Sequence, residues 1–170
     1  AIRRKDSGKP VTGHEIAAYR SLVAQLAWPA RNSIPQLSFH VSDLQQRSGD
    51  VSVGMLLKAN NVLRRAQELA KAQVGIKFYS DVKLDDPIIG LVSDASFGGQ
   101  PGGGSQSGYA ICWGPMEMIT EKGHRSVLLD WGSPKIRRVV KSTLAAEACG
   151  CSTGYDRAVY IRAIIAEILG

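Results

Sequence analysis

The chain has 170 residues, 44% of them hydrophobic, and carries a net charge of +6. A chain of this size and composition can bury a core in one or two small globular domains, and no apolar run reaches the roughly 18 residues of a membrane-spanning helix. The positive charge suits a polyanionic partner, and a merely basic surface explains it equally well.

The cysteine count disfavours a disulfide framework. Three cysteines are present, and Cys149 and Cys151 lie two residues apart on one predicted helix, where their side chains point apart from each other. A zinc site is disfavoured for the same reason, and we expect a reducing compartment. The sequence begins without Met and without the apolar core of a signal peptide, so we expect a processed or excised piece of a longer protein.

Residues 1–11 are charged and lack periodicity, which indicates a loose arm ahead of a first helix. Thr12 and Glu15 have the spacing of a capping box, so the helix is predicted to begin there. Pro29 is predicted to limit its end. The residues expected to face inward, at helical spacing, are Ile16, Tyr19, Val23, Leu26 and Ala30.

Two further helices are predicted before residue 76. The second starts near Ser33, with Pro35 in its first turn, and runs to about Ser48; the third runs from about Ser52 to Gln73. Their expected inward residues are Leu37, Val41 and Leu44 in the second helix and Leu56, Ala59, Leu63, Ala66 and Ala70 in the third. The sequence therefore predicts a unit of three packed helices over 1–75, with basic side chains on its outer faces.

The hydrophobic period changes from helical to strand-like at Ile76. Alternation from Ile76 to Lys83 predicts a half-buried strand. The apolar run from Ile88 to Val92 predicts a second strand that is covered on both faces and ends near Asp94. The glycines between residues 98 and 105 predict a long hairpin loop rather than a phosphate-binding loop, because no Gly-Lys-Ser/Thr follows them.

The rest of the chain is predicted to form two more strands and a long helix. The strands cover 108–113 and 126–131, and the helix runs from about Ser142 to Leu169. The fold class is therefore α+β or α/β: a helical segment, then a small sheet, then one long helix.

The predicted elements place two acidic residues near the end of a strand and near the start of a helix. Asp94 is predicted at the end of a buried strand, and Glu147 in the second turn of a capped helix. Clustered carboxylates are the ligands that hard cations prefer, so Asp94 and Glu147 form a candidate metal site. The alternative for each residue alone is a solvated carboxylate near the end of an element.

Basic residues precede the Glu147 helix. Arg137, Arg138 and Lys141 are candidates for contact with phosphate groups of nucleic acid. The alternative is a solvated basic loop. The tryptophans are expected to pack in the core or at hinges, and the histidines lack ligand spacing.

Six short segments occur in a distinctive order. They are YRSLVAQLAW at 19–28, ANNVLRRA at 59–66, SDASF at 93–97, SQSGY at 105–109, DWGSPK at 130–135 and RVVKSTLAAE at 138–147. The last four resemble the ribonuclease H region of copia-type retrotransposon polyproteins. The first two resemble the helical connection that joins reverse transcriptase to that region in the same family.

The resemblance implies metal-dependent hydrolysis of the RNA strand of an RNA–DNA hybrid, in which paired Mg²⁺ ions activate a water and stabilise the leaving oxygen. Asp94 and Glu147 match the first two of the family's four acidic ligands. The other two should follow the long helix, on a strand and on a later helix, but the sequence ends at Gly170. Asp156 lies on the opposite side of the helix from Glu147, and Asp130 is expected to be structural.

The resemblance therefore implies a helical connection over 1–75 and a partial ribonuclease H-like domain over 76–170, with little or no hydrolysis by the chain alone. It implies an intracellular setting, cytoplasmic or nuclear, with an organelle left open. The rival hypothesis is a domesticated fragment that serves as a structural or binding subunit of a larger protein assembly, because an unfinished sheet leaves unpaired backbone groups that a partner would cover.

Overall fold

The computed structural model describes residues 10–77, 79, 87–121 and 124–169. The chain divides into two compact units, 1–76 and 77–170. The first is helical, and the second combines an antiparallel sheet with a long helix. The expected α+β class is therefore confirmed.

Helix α1, Gly13–Asn32, begins with the capping box that the sequence predicts. The Glu15 backbone N–H donates to Thr12 Oγ1 at 3.2 Å, and the Thr12 N–H donates to Glu15 Oε2 at 2.8 Å. The prediction that Pro29 limits the helix is wrong, because the last turn continues beyond it to Asn32. Ser33 N–H bonds to the Pro29 carbonyl, and the Asn32 side chain donates to the Trp28 carbonyl, so the carbonyls of this turn are satisfied.

The predicted second helix is split. A short 3-10 helix, Pro35–Leu37, precedes helix α2, Ser38–Gln46. Helix α3, Val53–Lys71, is capped by the Ser52 side chain. The inward face of α3 is rotated from the prediction, since Leu69 is buried whereas Ala70 is exposed. The core of the unit comprises Tyr19, Val23, Leu26, Ala30, Ile34, Leu37, Val41, Leu44, Met55, Ala59, Val62, Ala66 and Leu69.

A buried charge lies within this helical unit. Asp43 is 1% exposed and is held by Arg47 Nη2 at 2.9 Å and by Lys58 Nζ. Burial by itself raises the pKa of Asp43, and the hydrogen bonds and charges of Lys58 and Arg47 outweigh it, so the pKa of the carboxyl is lowered. Tyr19, whose hydroxyl donates to the Leu44 carbonyl at 2.7 Å, joins the helices at the same level.

The sheet of the second unit has four strands: β1, Ile88–Gln100; β2, Gly104–Gly114; β3, Val127–Gly132; and β4, Lys135–Ile136. β1 pairs antiparallel with β2 along its length, and β3 and β4 also pair antiparallel with β2. Because β1 occupies one edge of β2 throughout, β3 and β4 share the other edge, one after the other.

The hairpin between β1 and β2 is tighter than predicted. In place of a long loop over 98–105, β1 continues to Gln100 and a 3-10 turn, Pro101–Gly103, leads directly into β2. Gly102 and Gly103 both have φ of 74°, a conformation that other residues rarely adopt, so the glycines permit the short turn. Most of the predicted strand from Ile76 lies outside the described residues.

Helix α5, Thr143–Leu169, lies against β1 and β2, and a short helix α4, Glu117–Thr120, precedes β3. The extent of α5 agrees with the prediction to one residue. In the part of the chain that the structure describes, no helix is both long and apolar enough to cross a membrane.

The Asp43 network predicts a pH-dependent stability of the helical unit. Because the folded-state pKa of Asp43 is depressed, its charge stabilises the fold above the unfolded value of about 3.9, and this contribution is lost as the pH falls through the folded-state pKa. We expect Asp43→Asn to lower the free energy of unfolding at pH 7 by about 2 kcal/mol, below the usual cost of breaking a fully buried pair because Arg47 and Lys58 are partly exposed.

Amide hydrogen exchange measures this effect unit by unit. Exchange should accelerate in α1 to α3 and stay unchanged in β1 and β2. Asp50→Asn, at an exposed acidic residue of the same unit, is the matched control. Equal effects of the two substitutions would contradict the role assigned to Asp43.

Candidate nucleic-acid and metal-binding residues

Helix α5 approaches the sheet at two glycines. A Cβ atom added at Gly150 would lie 3.3 Å from the Asp94 carbonyl oxygen and 3.3 Å from Ser107 Cβ, and one added at Gly154 would lie 2.7 Å from Leu91 Cδ1. Both glycines and Ala146 are buried. The small residues therefore let the helix backbone rest directly on β1 and β2.

Asp94 lies within β1, not at the end of the sheet as predicted. It pairs with Gly108, and the strand continues to Gln100. The next residue, Ala95, points its side chain at Gly150 of α5. Side chains alternate along a strand, so the Asp94 carboxylate extends from the other face of β1, where it is exposed. Its Oδ1 accepts a hydrogen bond from Ala95 N–H at 2.9 Å.

The predicted covering of β1 on both faces is also wrong for the described chain. Val92, two residues before Asp94 and on the same face, is 70% exposed. The apolar run from Ile88 to Val92 indicates the opposite, because a continuous apolar run is typical of a strand covered on both faces.

Glu147 is half-buried and lies one turn before Gly150 on α5. At about 100° per residue it lies about 60° to one side of Gly150, whereas Cys149 and Thr153 lie to the other side. The Cys149 side faces β4, because Cys149 and Thr153 line the same cleft as Lys135 and Ile136, so the Glu147 side faces β1 and the outer edge of the sheet. In the part of the chain that the structure describes, no hydrogen bond joins the Asp94 carboxylate to Glu147, and Asp94 Oδ1 accepts instead from the Ala95 N–H.

The predicted metal site therefore offers two carboxylates as ligands, those of Asp94 and Glu147. Among the residues that the structure describes, no three His, Cys, Asp or Glu side chains come together as a group that could hold a metal ion. The β1 backbone separates the Asp94 carboxylate from the body of α5. Mg²⁺ binding by Asp94 and Glu147 stays a prediction.

The basic residues before α5 are partly brought together. Arg137 and Arg138 line a cleft of about 580 Å³ between the segment 134–138 and one side of α5, and Lys135 lines it with them. Lys141, the third basic residue predicted to contact nucleic acid, is exposed and is not among the lining residues. Across the cleft, the wall formed by α5 consists of Ala148, Cys149, Ser152 and Thr153.

Buried polar side chains hold this basic segment to β2. Gln106 donates through Nε2 to the carbonyl and the hydroxyl of Ser133. The Ser107 backbone N–H and hydroxyl both donate to the Pro134 carbonyl, at 3.0 and 3.1 Å. Ile136 is buried in β4 and pairs with Ser105. The cations therefore extend from a fixed backbone.

Sequence reasoning missed β4 and its anchors. A signal was present, because Lys135 and Arg137 flank Ile136 with the two-residue period of a strand that has one buried face. The run is only three residues long, which is too short to be distinguished from a loop. Gln106 and Ser107 gave no signal, since their partners lie 26 or 27 residues further along the chain.

Asp130 has the structural role that the sequence suggested. Its Oδ2 accepts from Arg157 Nη2 at 2.7 Å and Nε at 2.9 Å, and the Tyr109 hydroxyl donates to it at 3.4 Å. These bonds tie β3 to α5 and raise the pKa of Arg157, chiefly through the hydrogen bond with Asp130. Burial, followed by the charge of Asp130, raises the pKa of Tyr109.

Comparison of the chain with protein-family models, with curated proteins and with solved structures finds no match.

Proposed function

We propose that the chain is a piece of a copia-type retrotransposon polyprotein, combining the helical connection with the first part of a ribonuclease H-like domain. The function of that lineage is metal-dependent hydrolysis of RNA in RNA–DNA hybrids. The observation that carries the proposal is the contact of α5 with β1 at Asp94 and Ala95, one turn after Glu147. It brings the two motifs that resemble the family's acidic motifs to the same end of one helix–sheet contact.

The order of the elements also supports the proposal. Four antiparallel strands precede the helix that carries the second carboxylate, namely the long strands β1 to β3 and the two-residue strand β4. Glu147 lies on the side of α5 that faces β1, and β1 has no further strand partner among the described residues. An additional strand with a third carboxylate would pair at this edge.

Bound Mg²⁺ would activate water and stabilise the leaving oxygen. Asp94 and Glu147 would be its protein ligands here, and two carboxylates on either side of an edge strand do not enclose a metal pair. We therefore propose that the chain alone is without hydrolytic activity. No catalytic step is assigned to any of its residues.

We expect the purified chain not to cleave an RNA–DNA hybrid above background in millimolar Mg²⁺.

We also expect weak metal binding at the two carboxylates, measured as paramagnetic broadening of amide NMR signals near Asp94 and Glu147 by Mn²⁺. Asp94→Asn should abolish the broadening near Asp94, and Asp156→Asn, on the opposite side of α5 from Glu147, should not. Broadening that ignores Asp94→Asn would contradict the metal assignment, and robust cleavage lost in Asp94→Asn would contradict the inactivity.

A second candidate function is that of a binding subunit in a protein assembly. The specific observation is apolar exposure, since Leu144 is 79% and Tyr155 is 64% exposed on α5, and Val92 is 70% exposed on the face of β1 that points away from α5. Exposed apolar surface and an unpaired strand edge both favour association with another chain.

This candidate predicts that the isolated chain self-associates or aggregates. Light scattering at micromolar concentration should give a mass above 18.3 kDa. The paired substitution Leu144→Glu and Tyr155→Glu should restore the monomer mass, while Ala17→Glu, at an exposed site in α1, should not. A monomeric, cooperatively unfolding wild-type chain would contradict this candidate.

A further inference from the structure

Two surfaces of the second unit lie side by side without a covering element. One is the outer edge of β1, which pairs with no further strand among the residues that the structure describes. The other is the side of α5 that faces this edge, on which Glu147 lies. We infer that a second copy of this chain covers both, so that two copies form a symmetric dimer. The inference rests on the second candidate function proposed above and names its partner.

The side of α5 that faces the β1 edge carries a continuous, largely apolar set of side chains. At about 100° per residue, its members lie about 60 to 140° from Gly150 on the β1 side. Successive members are three or four residues apart, which is the spacing by which one helix packs along another. Leu144, Tyr155 and Leu169 in this set are 79%, 64% and 68% exposed. We call the set the α5 seam, and it consists of Leu144, Glu147, Cys151, Tyr155, Ala158, Arg162, Ile165 and Leu169.

The β1 edge lacks the features by which natural edge strands avoid pairing. Ile88–Gln100 contains no proline, and Asp94 is its one charged residue. The strand pairs regularly with β2 from Ile88 to Ser96, and its register shifts only after Ser96. A long, regular edge strand with a single charge is a template for pairing with another strand.

A two-fold axis perpendicular to the sheet covers both surfaces at once. It pairs the two β1 strands antiparallel and places both α5 helices on the same face of one continuous sheet. A Cβ atom added at Gly150 would lie 3.3 Å from both the Asp94 carbonyl oxygen in β1 and Ser107 Cβ in β2, so α5 runs above the line midway between these strands. The two helices are then two strand spacings apart, about 9.6 Å, which lies within the roughly 8–10 Å at which helices pack.

The charges of the seam indicate the register of the two copies. Glu147 and Arg162 are its only charged members, and they lie almost equally far from Gly154 in opposite directions along the helix. In an antiparallel pair of helices centred near Gly154, each Glu147 faces the partner's Arg162. The dimer therefore gains two ion pairs of complementary charge.

The strands give the same centre. A Cβ atom added at Gly154 would lie 2.7 Å from Leu91 Cδ1, so an axis near Gly154 passes near Leu91. Such an axis pairs residues 88–94 of one copy with 94–88 of the other, within the regular part of β1. Asp94 then lies opposite the partner's Ile88, so no two like charges face each other across the paired strands. Helix and strand thus specify one register.

The second copy takes the edge at which the proposed lineage would place a further strand. It also takes the Glu147 carboxylate that the metal prediction uses. The second copy and such a strand are therefore alternatives for one surface, and the dimer is inferred for the 170-residue chain.

Sedimentation velocity of the full chain at micromolar concentrations tests the dimer. We expect a reversible equilibrium between the 18.3 kDa monomer and a species of twice that mass. Arg162→Glu should weaken dimerisation about tenfold, because it sets two pairs of like charges across the interface. The double variant Glu147→Arg, Arg162→Glu should restore association, since it exchanges the charges. The matched control is Glu167→Arg, an exposed charge reversal on the other side of α5, which should leave the dimer unchanged.

Disulfide formation locates the axis. Cys151 and Ala158 lie on either side of Gly154 in the seam, so each Cys151 faces the partner's Ala158. Ala158→Cys should therefore give a covalent dimer on mild oxidation, and the further substitution Cys151→Ser should abolish it. Ala163→Cys, at an exposed position on the other side of α5, should stay monomeric under the same conditions. Circular dichroism checks that each variant folds, and the cysteine variants test the register even if a charge reversal unfolds the unit.

The outcomes separate the dimer from the candidate function on which it rests. Association that neither Arg162→Glu nor the double variant alters would overturn the dimer and leave the binding-subunit candidate standing. A double variant as weak as Arg162→Glu, or equal cross-linking by Ala158→Cys and Ala163→Cys, would overturn the register and with it the dimer. A wild-type chain that stays a monomer would overturn both.

Discussion

The close approach of α5 to the sheet is the contact on which the second unit depends. Gly150 and Gly154 remove the side chains that would separate the helix from β1 and β2, and Ala146 extends the same small-residue face. Because the helix backbone contacts the sheet directly, the side chains on both sides of the helix are held at fixed distances from the sheet. Glu147 lies on one side, toward β1, and Cys149, Ser152 and Thr153 lie on the other, toward β4. The Glu147 side chain and the basic cleft therefore lie on opposite sides of the same helix.

Polar residues set the position of the other wall of the cleft. Gln106 and Ser107 are buried, and buried polar groups are costly unless they are hydrogen-bonded. Their bonds to Ser133 and Pro134 satisfy that requirement and also fix the direction in which Lys135 and Arg137 leave the sheet. The Asp130–Arg157 ion pair likewise holds α5 to β3. The basic cleft thus arises from β2, which holds α5 on one face and the basic segment along one edge.

The sequence predicted helices well where their formation depends on interactions between neighbouring residues. The capping box at Thr12, the helical period in α1 and the extent of α5 were all predictable, because caps and periodicity depend on neighbours within a few residues. The errors concern tertiary context. The inward face of α3 depends on its packing against α1 and α2. The tight turn at Gly102 depends on the pairing of β1 with β2, which continues up to the turn.

The candidate sites show the same division. Arg137 and Arg138 were identified from their charge, but only the fold brings them opposite Ser152 and Thr153. Asp94 and Glu147 were identified from resemblance, and the fold places their motifs at one contact while strand alternation directs the Asp94 side chain away from α5. The face of a sheet on which a side chain lies depends on the register of its strand. The sequence predicted that β1 ends at Asp94 and therefore did not predict the face from which the Asp94 side chain extends.

The central claim is that the second unit requires α5 to rest on β1 and β2, and Gly150→Val tests it most directly. The added side chain would meet the Asp94 carbonyl and Ser107 Cβ, neither of which can move freely. We predict a loss of about 2 kcal/mol in the free energy of unfolding, together with faster amide hydrogen exchange in β1 and β2. Ala163→Val, at an exposed position of the same helix, should leave both measurements unchanged. Full stability and unchanged exchange in Gly150→Val would contradict the account.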